Sequence, residues 1–115
     1  MLSPNSADAM RALAALALDC QDYAEAYTLH HRLIQLGEHA PELFYNAGLL
    51  CQKLGRTGEA EQFYQQALSE DPRRFEALVN LGHVWMASGK VEEARSCWRR
   101  AIAEKPELAA SYFEA

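Results

Sequence analysis

Apolar residues in the middle of the chain recur at steps of three and four positions. Between residues 41 and 54 they form one stripe, which consists of Leu43, Phe44, Ala47, Leu50, Cys51 and Leu54. Between residues 57 and 70 they form a second stripe, which consists of Ala60, Phe63, Tyr64, Ala67 and Leu68. Such spacing places side chains on one face of an α-helix, and no segment alternates with the two-residue period of a strand over a useful length. The pattern therefore predicts an all-α chain.

The ends of these two helices carry residues typical of helix boundaries. Pro41 suits a first helical turn, and Gly55 is a natural C-terminal stop. Thr57 is a candidate N-cap for the second helix, which is expected to end before Asp71 and Pro72. The sequence therefore predicts two short helices joined by a tight turn.

The same pattern of residues recurs 34 positions later in the chain, so that Gly48 aligns with Gly82. Overlaying residues 41–74 on 75–108 gives nine identities in 34 positions, where chance would give about two. Extending the phase backwards adds residues 7–40 as a first, degenerate unit, whose expected apolar stripe comprises Met10, Leu13, Ala14, Leu16 and Ala17. The expected organisation is a lead at 1–6, three units, and the opening of a partial capping helix at 109–115. Helix pairs this short cannot bury enough apolar surface alone, so neighbouring pairs are expected to stack.

Two glycines lie inside predicted helices at the same phase of the repeat. Gly48 and Gly82 each cost about 1 kcal/mol relative to alanine at such positions. A cost that recurs in two units suggests a shared need for close approach between helices. Ala60 and Ala94, small residues near the start of each second helix, are the expected neighbours.

Composition and charge narrow the class of protein. Half of the 115 residues are apolar and 23% are charged, as in an ordinary globular domain. The formal net charge of −5 lacks the basic footprint of a nucleic-acid binder, so no nucleic-acid partner is expected. No apolar stretch reaches the roughly 20 residues of a membrane span, so no membrane partner is expected. Three cysteines without a CxxC pair fit reduced thiols in a cytoplasmic compartment, and a periplasmic location stays open if an upstream signal was removed.

Residues that often serve catalysis or metal binding occur here without the spacing that such chemistry needs. His30 and His31 are adjacent, so on a helix their side chains diverge by about 100° and cannot hold one ion. His83 has no cysteine or carboxylate at metal-ligand spacing. The sequence contains neither a glycine-rich phosphate loop nor a Ser/His/Asp set. We therefore expect no enzyme, no cofactor and no metal site.

Eight positions that recur in phase resemble the signature of the tetratricopeptide repeat (TPR) family. The third unit carries Leu78, Leu81, Gly82, Trp85, Ala94, Trp98, Ala101 and Pro106. The second unit carries Phe44, Ala47, Gly48, Cys51, Ala60, Tyr64, Ala67 and Pro72. The first unit departs from the signature, with Ala14 for the glycine, His30 for the aromatic and Glu38 for the proline. The resemblance implies a right-handed α-solenoid of three helix–turn–helix units plus the start of a C-terminal capping helix.

The resemblance also implies a non-catalytic scaffold or adaptor that binds a peptide or a partner domain. In such a solenoid the first helix of each unit lines the concave side, so outward positions on these helices predict a groove. The candidate groove residues are Arg11, Tyr45, Asn46, Leu49, Lys53, Val79, Asn80, His83 and Met86.

Two asparagines are the most specific candidates in this groove. Asn46 and Asn80 each lie two residues before a repeated glycine, so both amides are expected to point into the groove, one unit apart. An amide both donates and accepts hydrogen bonds, and some family members hold a peptide backbone with a ladder of asparagines. The alternative is that these amides are solvated or pack against a neighbouring unit. The family's carboxylate clamp is not expected, because Glu76 stands where a lysine would be needed.

Two further functions stay open from the sequence. One is self-association as a homo-oligomer through the ends of the array, motivated by apolar residues near the C-terminal end such as Trp98, Ile102 and Tyr112. The other is a regulatory segment of a larger multidomain protein.

Overall fold

The computed structural model of the chain describes residues 7–108, which form six α-helices and a final 3₁₀ turn. The helices are α1 (Ala7–Asp19), α2 (Tyr23–Gln35), α3 (Pro41–Lys53), α4 (Thr57–Glu70), α5 (Phe75–Ala87) and α6 (Val91–Glu104), followed by Pro106–Leu108. Within residues 7–108 there is no strand, and the all-α prediction is confirmed. The predicted partial capping helix at 109–115 lies outside the described residues.

The helices pack in chain order to form an elongated array. Within each hairpin the two helices lie against each other, and α2 and α4 also pack on the first helix of the next hairpin. The hairpins begin at Ala7, Pro41 and Phe75, which are equally spaced in the sequence. The molecule measures 52 × 24 × 22 Å, which is the shape expected when each unit contacts only its neighbours. The fold is therefore the expected all-helical solenoid.

The helix boundaries agree with the sequence prediction at Pro41 and at the end of α4, and they differ at the start of α4. Pro41 is the first residue of α3, and α4 ends at Glu70, before the Asp71–Pro72 pair. The prediction that Thr57 caps α4 is wrong: Arg56 occupies the cap position, and no side chain makes a capping hydrogen bond there. The backbone amide of Arg56 instead donates a hydrogen bond to the carbonyl of Cys51 at 2.7 Å, which joins the start of α4 to the end of α3.

The turn between the two helices of a hairpin uses a left-handed backbone in all three units. Gly55 has a φ angle of 76°, which confirms its predicted role as a helix stop, and its equivalent Gly89 has a φ angle of 83°. In the first unit the same position is Gln21, whose φ is 59°. Only glycine adopts this region without steric cost, so the first hairpin carries strain that the other two avoid.

The repeated glycines make the close contacts that the sequence predicts, but with other neighbours. A Cβ atom at Gly48 would lie 2.6 Å from a ring carbon of Tyr64, and one at Gly82 would meet the indole of Trp98. The nearest atoms thus belong to these rings, while the expected neighbours Ala60 and Ala94 are fully buried on the same helices. The large ring four residues further along α4 and α6 lies against the glycine, which is why a side chain is excluded there.

The core runs along the array, but the first helix is less buried than its sequence pattern suggests. Met10, Ala14 and Ala17 are buried as expected. Leu13 and Leu16 were expected in the same stripe, yet they are 47% and 59% exposed. The correction has a physical reason, because in α3 and α5 the equivalent positions are covered by the helix of the preceding hairpin.

Candidate functional site

A cavity of about 280 Å³ opens between the first helices of the first two hairpins. Its walls are α1, with Arg11, Ala15 and Leu18, and α3, with Glu42, Leu43 and Asn46. Arg11 and Asn46, two of the predicted groove residues, thus border the same space. The equivalent of Arg11 one unit later is Tyr45, so the pair Arg11 and Asn46 corresponds to Tyr45 and Asn80.

The cation at this cavity is already paired with carboxylates. One guanidinium nitrogen of Arg11 donates to Asp8 at 3.0 Å, and another donates to Glu38. The Arg11 side chain is half exposed, so these pairs contribute little to stability. They do neutralise the charge, and Glu42 adds a further carboxylate to the wall. The cavity is therefore unsuited to a carboxylate ligand.

A buried histidine lies at the inner wall of the cavity. His30 is 4% exposed, and its Nδ1 lies 2.7 Å from the carbonyl oxygen of Ala26. Since a carbonyl only accepts, Nδ1 carries the hydrogen. Burial lowers the pKa of His30, an effect that the bond to Ala26 partly offsets. His30 is consequently a neutral core residue with one ring nitrogen engaged.

The second predicted asparagine is engaged with the preceding unit. Asn80 donates a hydrogen bond from Nδ2 to the hydroxyl of Tyr45 at 3.1 Å. The Tyr45 ring lies 6.0 Å from that of Tyr64, and the guanidinium of Arg74 lies 5.3 Å from its centre. Burial raises the pKa of Tyr45, and the bond from Asn80 opposes that rise. This amide therefore ties α5 to α3.

No hydrogen bond within residues 7–108 engages the side chain of Asn46. The residue that would mirror Tyr45 is Arg11, which carries donors only and turns to Asp8 and Glu38. The absence of a bridging phenol leaves the space between α1 and α3 open. Asn46 and Asn80 thus differ in environment although they share a place in the repeat.

Three other predicted groove residues lie on the first helices with part of their surface open. Leu49 and Met86 are half-buried, and Leu49 packs against the central core. His83 is exposed, and its ring meets Trp98 edge-on at 5.5 Å between centres. They extend the surface that begins at the cavity along α3 and α5.

The two remaining predicted residues have other surroundings. The ammonium of Lys53 lies 5.9 Å from the ring centre of Tyr23, so its charge is engaged at the contact between α2 and α3. Val79 is only 9% exposed, and its carbonyl accepts a hydrogen bond from Nε1 of Trp98 at 3.2 Å. Val79 belongs to the core and adds almost no surface to a groove.

Helical spacing alone missed several residues that line the cavity. Glu38 and Ala40 come from the loop before α3, where no periodic pattern applies. Leu43 and Leu33 carry the apolar signal of core positions, so their second role is not visible in the sequence. Leu43 is partly exposed at this space, whereas Leu33 lines it although it is only 1% exposed.

Neither a cluster of metal ligands nor a membrane-spanning helix occurs in residues 7–108. Residues 7–108 contain no group of three side chains arranged to hold a metal ion. With 13 or 14 residues each, the helices of this region fall short of the length needed to cross a bilayer.

Three stacked hairpins at one constant sequence offset, with partly open first helices, define a TPR-type repeat protein. Residues 10–114 match the family model described as the Cilia and flagella-associated protein 70 middle TPR-like domain, and the chain belongs to this TPR family. The resemblance predicted from the sequence is thereby confirmed. Proteins built from these repeats generally mediate protein–protein interactions and are typically non-catalytic scaffolds.

Curated relatives carry the same repeats within longer chains. Tetratricopeptide repeat protein 8 of Caenorhabditis elegans is 33% identical over 86 residues, which are 75% of this chain and 17% of the relative. The probable biofilm formation methyltransferase WspC of Pseudomonas aeruginosa is 34% identical over 83 residues, 72% of this chain and 20% of the relative. Photosystem I assembly protein Ycf3 of Prochlorococcus marinus is 33% identical over 67 residues, 56% of this chain and 39% of the relative. The chain thus spans less than half the length of each.

Solved structures share the fold at lower sequence identity. A crystal structure of MamA superposes with a TM-score of 0.83 at 22% identity, covering 94% of this chain and 63% of that one. YrrB, described as a TPR protein with an unusual peptide-binding site, superposes with a TM-score of 0.87 at 22% identity, covering 98% of this chain and 58% of that one. At this identity the likeness establishes the fold.

Proposed function

We propose that this chain is a non-catalytic interaction module that binds a peptide segment of a partner protein along its first helices. The observation that carries the proposal is the cavity of about 280 Å³ between α1 and α3, which Asn46 borders with an amide that no described residue engages. The ligand would continue over the partly open side chains of Leu49, His83 and Met86.

The chemistry of the cavity favours a neutral, hydrogen-bonding ligand. Arg11, the cation among the described residues that line it, is neutralised by Asp8 and Glu38, so a terminal carboxylate gains little there. The amide of Asn46 offers two donors and an acceptor, which matches the alternating C=O and N–H groups of a peptide backbone. Leu18 and Leu43 provide an apolar wall for one side chain of the peptide. An extended peptide with an apolar residue at this point fits best.

The activity belongs in a reducing, cytosol-like compartment. The exposed thiol of Cys20 is free, as are the buried thiols of Cys51 and Cys97. A free exposed thiol persists where disulfides are kept reduced.

The proposal can be tested by selecting binders from a library of random linear peptides displayed on phage, with the folded chain immobilised. Synthetic copies of the selected peptides would then be titrated calorimetrically. Asn46→Ala is expected to weaken binding by about 1 kcal/mol, close to fivefold, because one net hydrogen bond is lost. Amide shifts in an NMR titration should change most at Ala15, Leu18 and Leu43.

Gln65→Ala is the matched control, since it removes an exposed amide from α4, which does not line the cavity. Its effect on binding should be negligible. The groove would be contradicted as the binding site if Asn46→Ala left the affinity of the peptides unchanged and the NMR shifts changed mainly on α4 or α6.

A further inference from the structure

The contacts between successive hairpins reuse one pair of positions. At the first junction the guanidinium of Arg56 lies 4.6 Å from the ring centre of Tyr27. At the second junction the carboxylate of Glu61 lies 3.5 Å from the ammonium of Lys90. The two pairs have the same separation in sequence, and Glu61 and Lys90 are the equivalents of Tyr27 and Arg56 one unit later. The same two positions are therefore in contact at both junctions between the described hairpins.

The apolar part of each junction also recurs. Leu50 on α3 is 2% exposed and packs with Ala26 on α2, and Val84, its equivalent on α5, is also 2% exposed. The equivalent on α1 is Leu16, which is 59% exposed, and Leu13 beside it is 47% exposed. Among the described residues nothing covers this face of α1, although the repeat shows what fits it: the second helix of another hairpin.

A cavity of about 230 Å³ marks the same face, and we name it the head cavity. Leu13, Leu16 and Leu29 line it together with the carboxylate side chains of Asp22 and Glu25. None of the residues from 7–108 that line it is a cation. The head cavity is thus apolar at its base and acidic at its edge.

The second hairpin shows how such a place is filled. Tyr27 packs beside Leu50 there, and its hydroxyl donates to Glu59 at 2.6 Å. Its ring lies under Arg56. Glu59 and Arg56 are the counterparts of Glu25 and Asp22, so the head cavity has two carboxylates where the second hairpin has one carboxylate and one cation. A cation is therefore the complementary side chain for the head cavity.

The last described helix presents that cation at the matching position. Arg95 is the equivalent of Glu61 one unit later, and so it is the next in the series after Tyr27 and Glu61. Its side chain is 52% exposed, and among the described residues its carboxylate partner is Glu92 on the same helix, at 3.7 Å. Val91, one turn earlier, is 37% exposed. Val91 and Arg95 form what we call the tail face.

We propose that copies of this chain stack head to tail, with Arg95 of one copy entering the head cavity of the next. In phase with the repeat, α1 of the next copy follows α6 where residues 109–115 follow it in the chain, so the contact requires that this segment leave the repeat phase. The Asp22 of the next copy then falls where Lys90 falls relative to Glu61, with both charges reversed. Leu13 and Leu16 become covered as Leu50 and Val84 are within the chain. Because the two surfaces differ, the contact is heterologous and continues beyond a dimer.

The test is sedimentation velocity of the full chain over a micromolar to millimolar concentration series. We expect a reversible ladder of dimers, trimers and longer species that shortens as salt is added, because salt screens the exposed ion pairs. Leu16→Glu should weaken association by about tenfold or more, since it places a charge on apolar surface that becomes buried. Leu36→Glu is the matched control, because Leu36 is also 59% exposed but lies outside the head cavity, and association should be unchanged.

Charge reversal tests the pairing itself. Arg95→Glu alone and Glu25→Lys alone should each weaken association, while circular dichroism verifies that both variants stay folded. Glu25→Lys leaves the cap of α2 intact, because Asp22 accepts the hydrogen bond from the Glu25 backbone amide. An equimolar mixture of the two variants should associate better than either alone. In the mixture an unmodified tail meets an unmodified head, and the two substituted side chains meet as a pair of opposite charges.

Three results would overturn the proposal. A strict monomer over the whole series excludes stacking, and a species that saturates at a dimer indicates a symmetric contact instead. If Arg95→Glu leaves association unchanged, or if mixing the two variants does not improve it, the contact lies elsewhere. None of these outcomes bears on peptide binding through Asn46, which is measured separately by titration with the selected peptides.

Discussion

The amide of Asn80 donates a hydrogen bond to the hydroxyl of Tyr45 at 3.1 Å, and this bond joins the second hairpin to the third. Asn46, one repeat earlier, faces Arg11 instead and stays open to the cavity. The two asparagines therefore have different roles, one in holding the array together and one at its surface. A ladder of equivalent amides is not what the geometry provides.

Their different environments predict different effects on stability. Asn80→Ala should lower the free energy of unfolding by about 1 kcal/mol, the net value of one hydrogen bond, while Asn46→Ala should change it little. Urea denaturation followed by circular dichroism measures both. Tyr45→Phe removes the same bond from the other side, so the double variant with Asn80→Ala should cost less than the sum of the two. Additive effects would speak against the bond.

Gly48 predicts a large cost for a small substitution. Gly48→Ala should lower the free energy of unfolding by about 1–3 kcal/mol, because the new methyl group would meet the Tyr64 ring at 2.6 Å, and Tyr64 is fully buried. Thermal and urea unfolding both report this loss. The higher helix propensity of alanine favours the variant by about 1 kcal/mol. A net loss of stability would therefore show that the contact with Tyr64 outweighs this gain.

Gly58 provides the matched control within a helix. It lies in the first turn of α4, and a Cβ atom there would meet nothing within 4 Å. Gly58→Ala should therefore stabilise the protein by about 0.5–1 kcal/mol. If Gly48→Ala stabilised to the same extent, the close approach of Tyr64 would be excluded. Adding Tyr64→Leu to Gly48→Ala should recover part of the loss.

The sequence predicts the periodic part of the molecule and little of what breaks the period. Helix order and the close contacts at Gly48 follow from residues that recur in phase from one unit to the next. The exposure of Leu16 does not, because a stripe of apolar residues is the same whether or not another hairpin covers it. Likewise the burial of Val79 and the bond from Asn80 to Tyr45 depend on contacts between units, which helical spacing within one unit does not contain.

The left-handed turn in the first hairpin predicts a stabilising substitution. Gln21 has a φ of 59°, where a side chain costs about 1 kcal/mol or more and glycine does not. Gln21→Gly should raise the free energy of unfolding by about 0.5–1 kcal/mol after the entropy of the unfolded glycine is counted. Gly55→Gln, the reverse change at the same place in the second hairpin, should lower it. A loss of stability in Gln21→Gly would argue against the left-handed turn.

The buried histidine predicts that the protein loses stability in mild acid. Burial lowers the pKa of His30 from 6.5, so the unfolded chain takes up a proton more readily than the folded one. The contribution of this residue is complete above pH 6.5 and declines as the pH falls towards the lowered pKa. Urea midpoints over a pH series should show this slope, and His30→Phe should remove it.

His31→Phe is the control for this pH effect. His31 is exposed and stacks on Tyr27 at 5.9 Å, which a phenyl ring can also do. The acid-dependent slope should persist in this variant. A slope that vanished in His31→Phe and persisted in His30→Phe would contradict the prediction.

The three thiols predict a clear division of reactivity. Burial, with a smaller effect of Glu59, raises the pKa of the Cys51 thiol to about 11, and burial also raises the pKa of Cys97. Cys20 is exposed. Near pH 8 a disulfide reagent such as Ellman's should therefore modify Cys20 quickly and the other two only after denaturation. Cys20→Ser should abolish the fast reaction, and a fast phase that survived this change would indicate an open core.

The constant offset between hairpins means that the array can grow by whole steps. A second copy of residues 41–74 inserted after Arg74 would bring its Arg56 opposite Glu61 and its Asn46 opposite Tyr45. Both are pairings of the kind that the chain already uses, a carboxylate with a cation and an amide with a phenol. Gene duplication in steps of one hairpin would lengthen such a protein without creating a new kind of interface. The length of the array can therefore change easily in evolution, whereas its cross-section cannot.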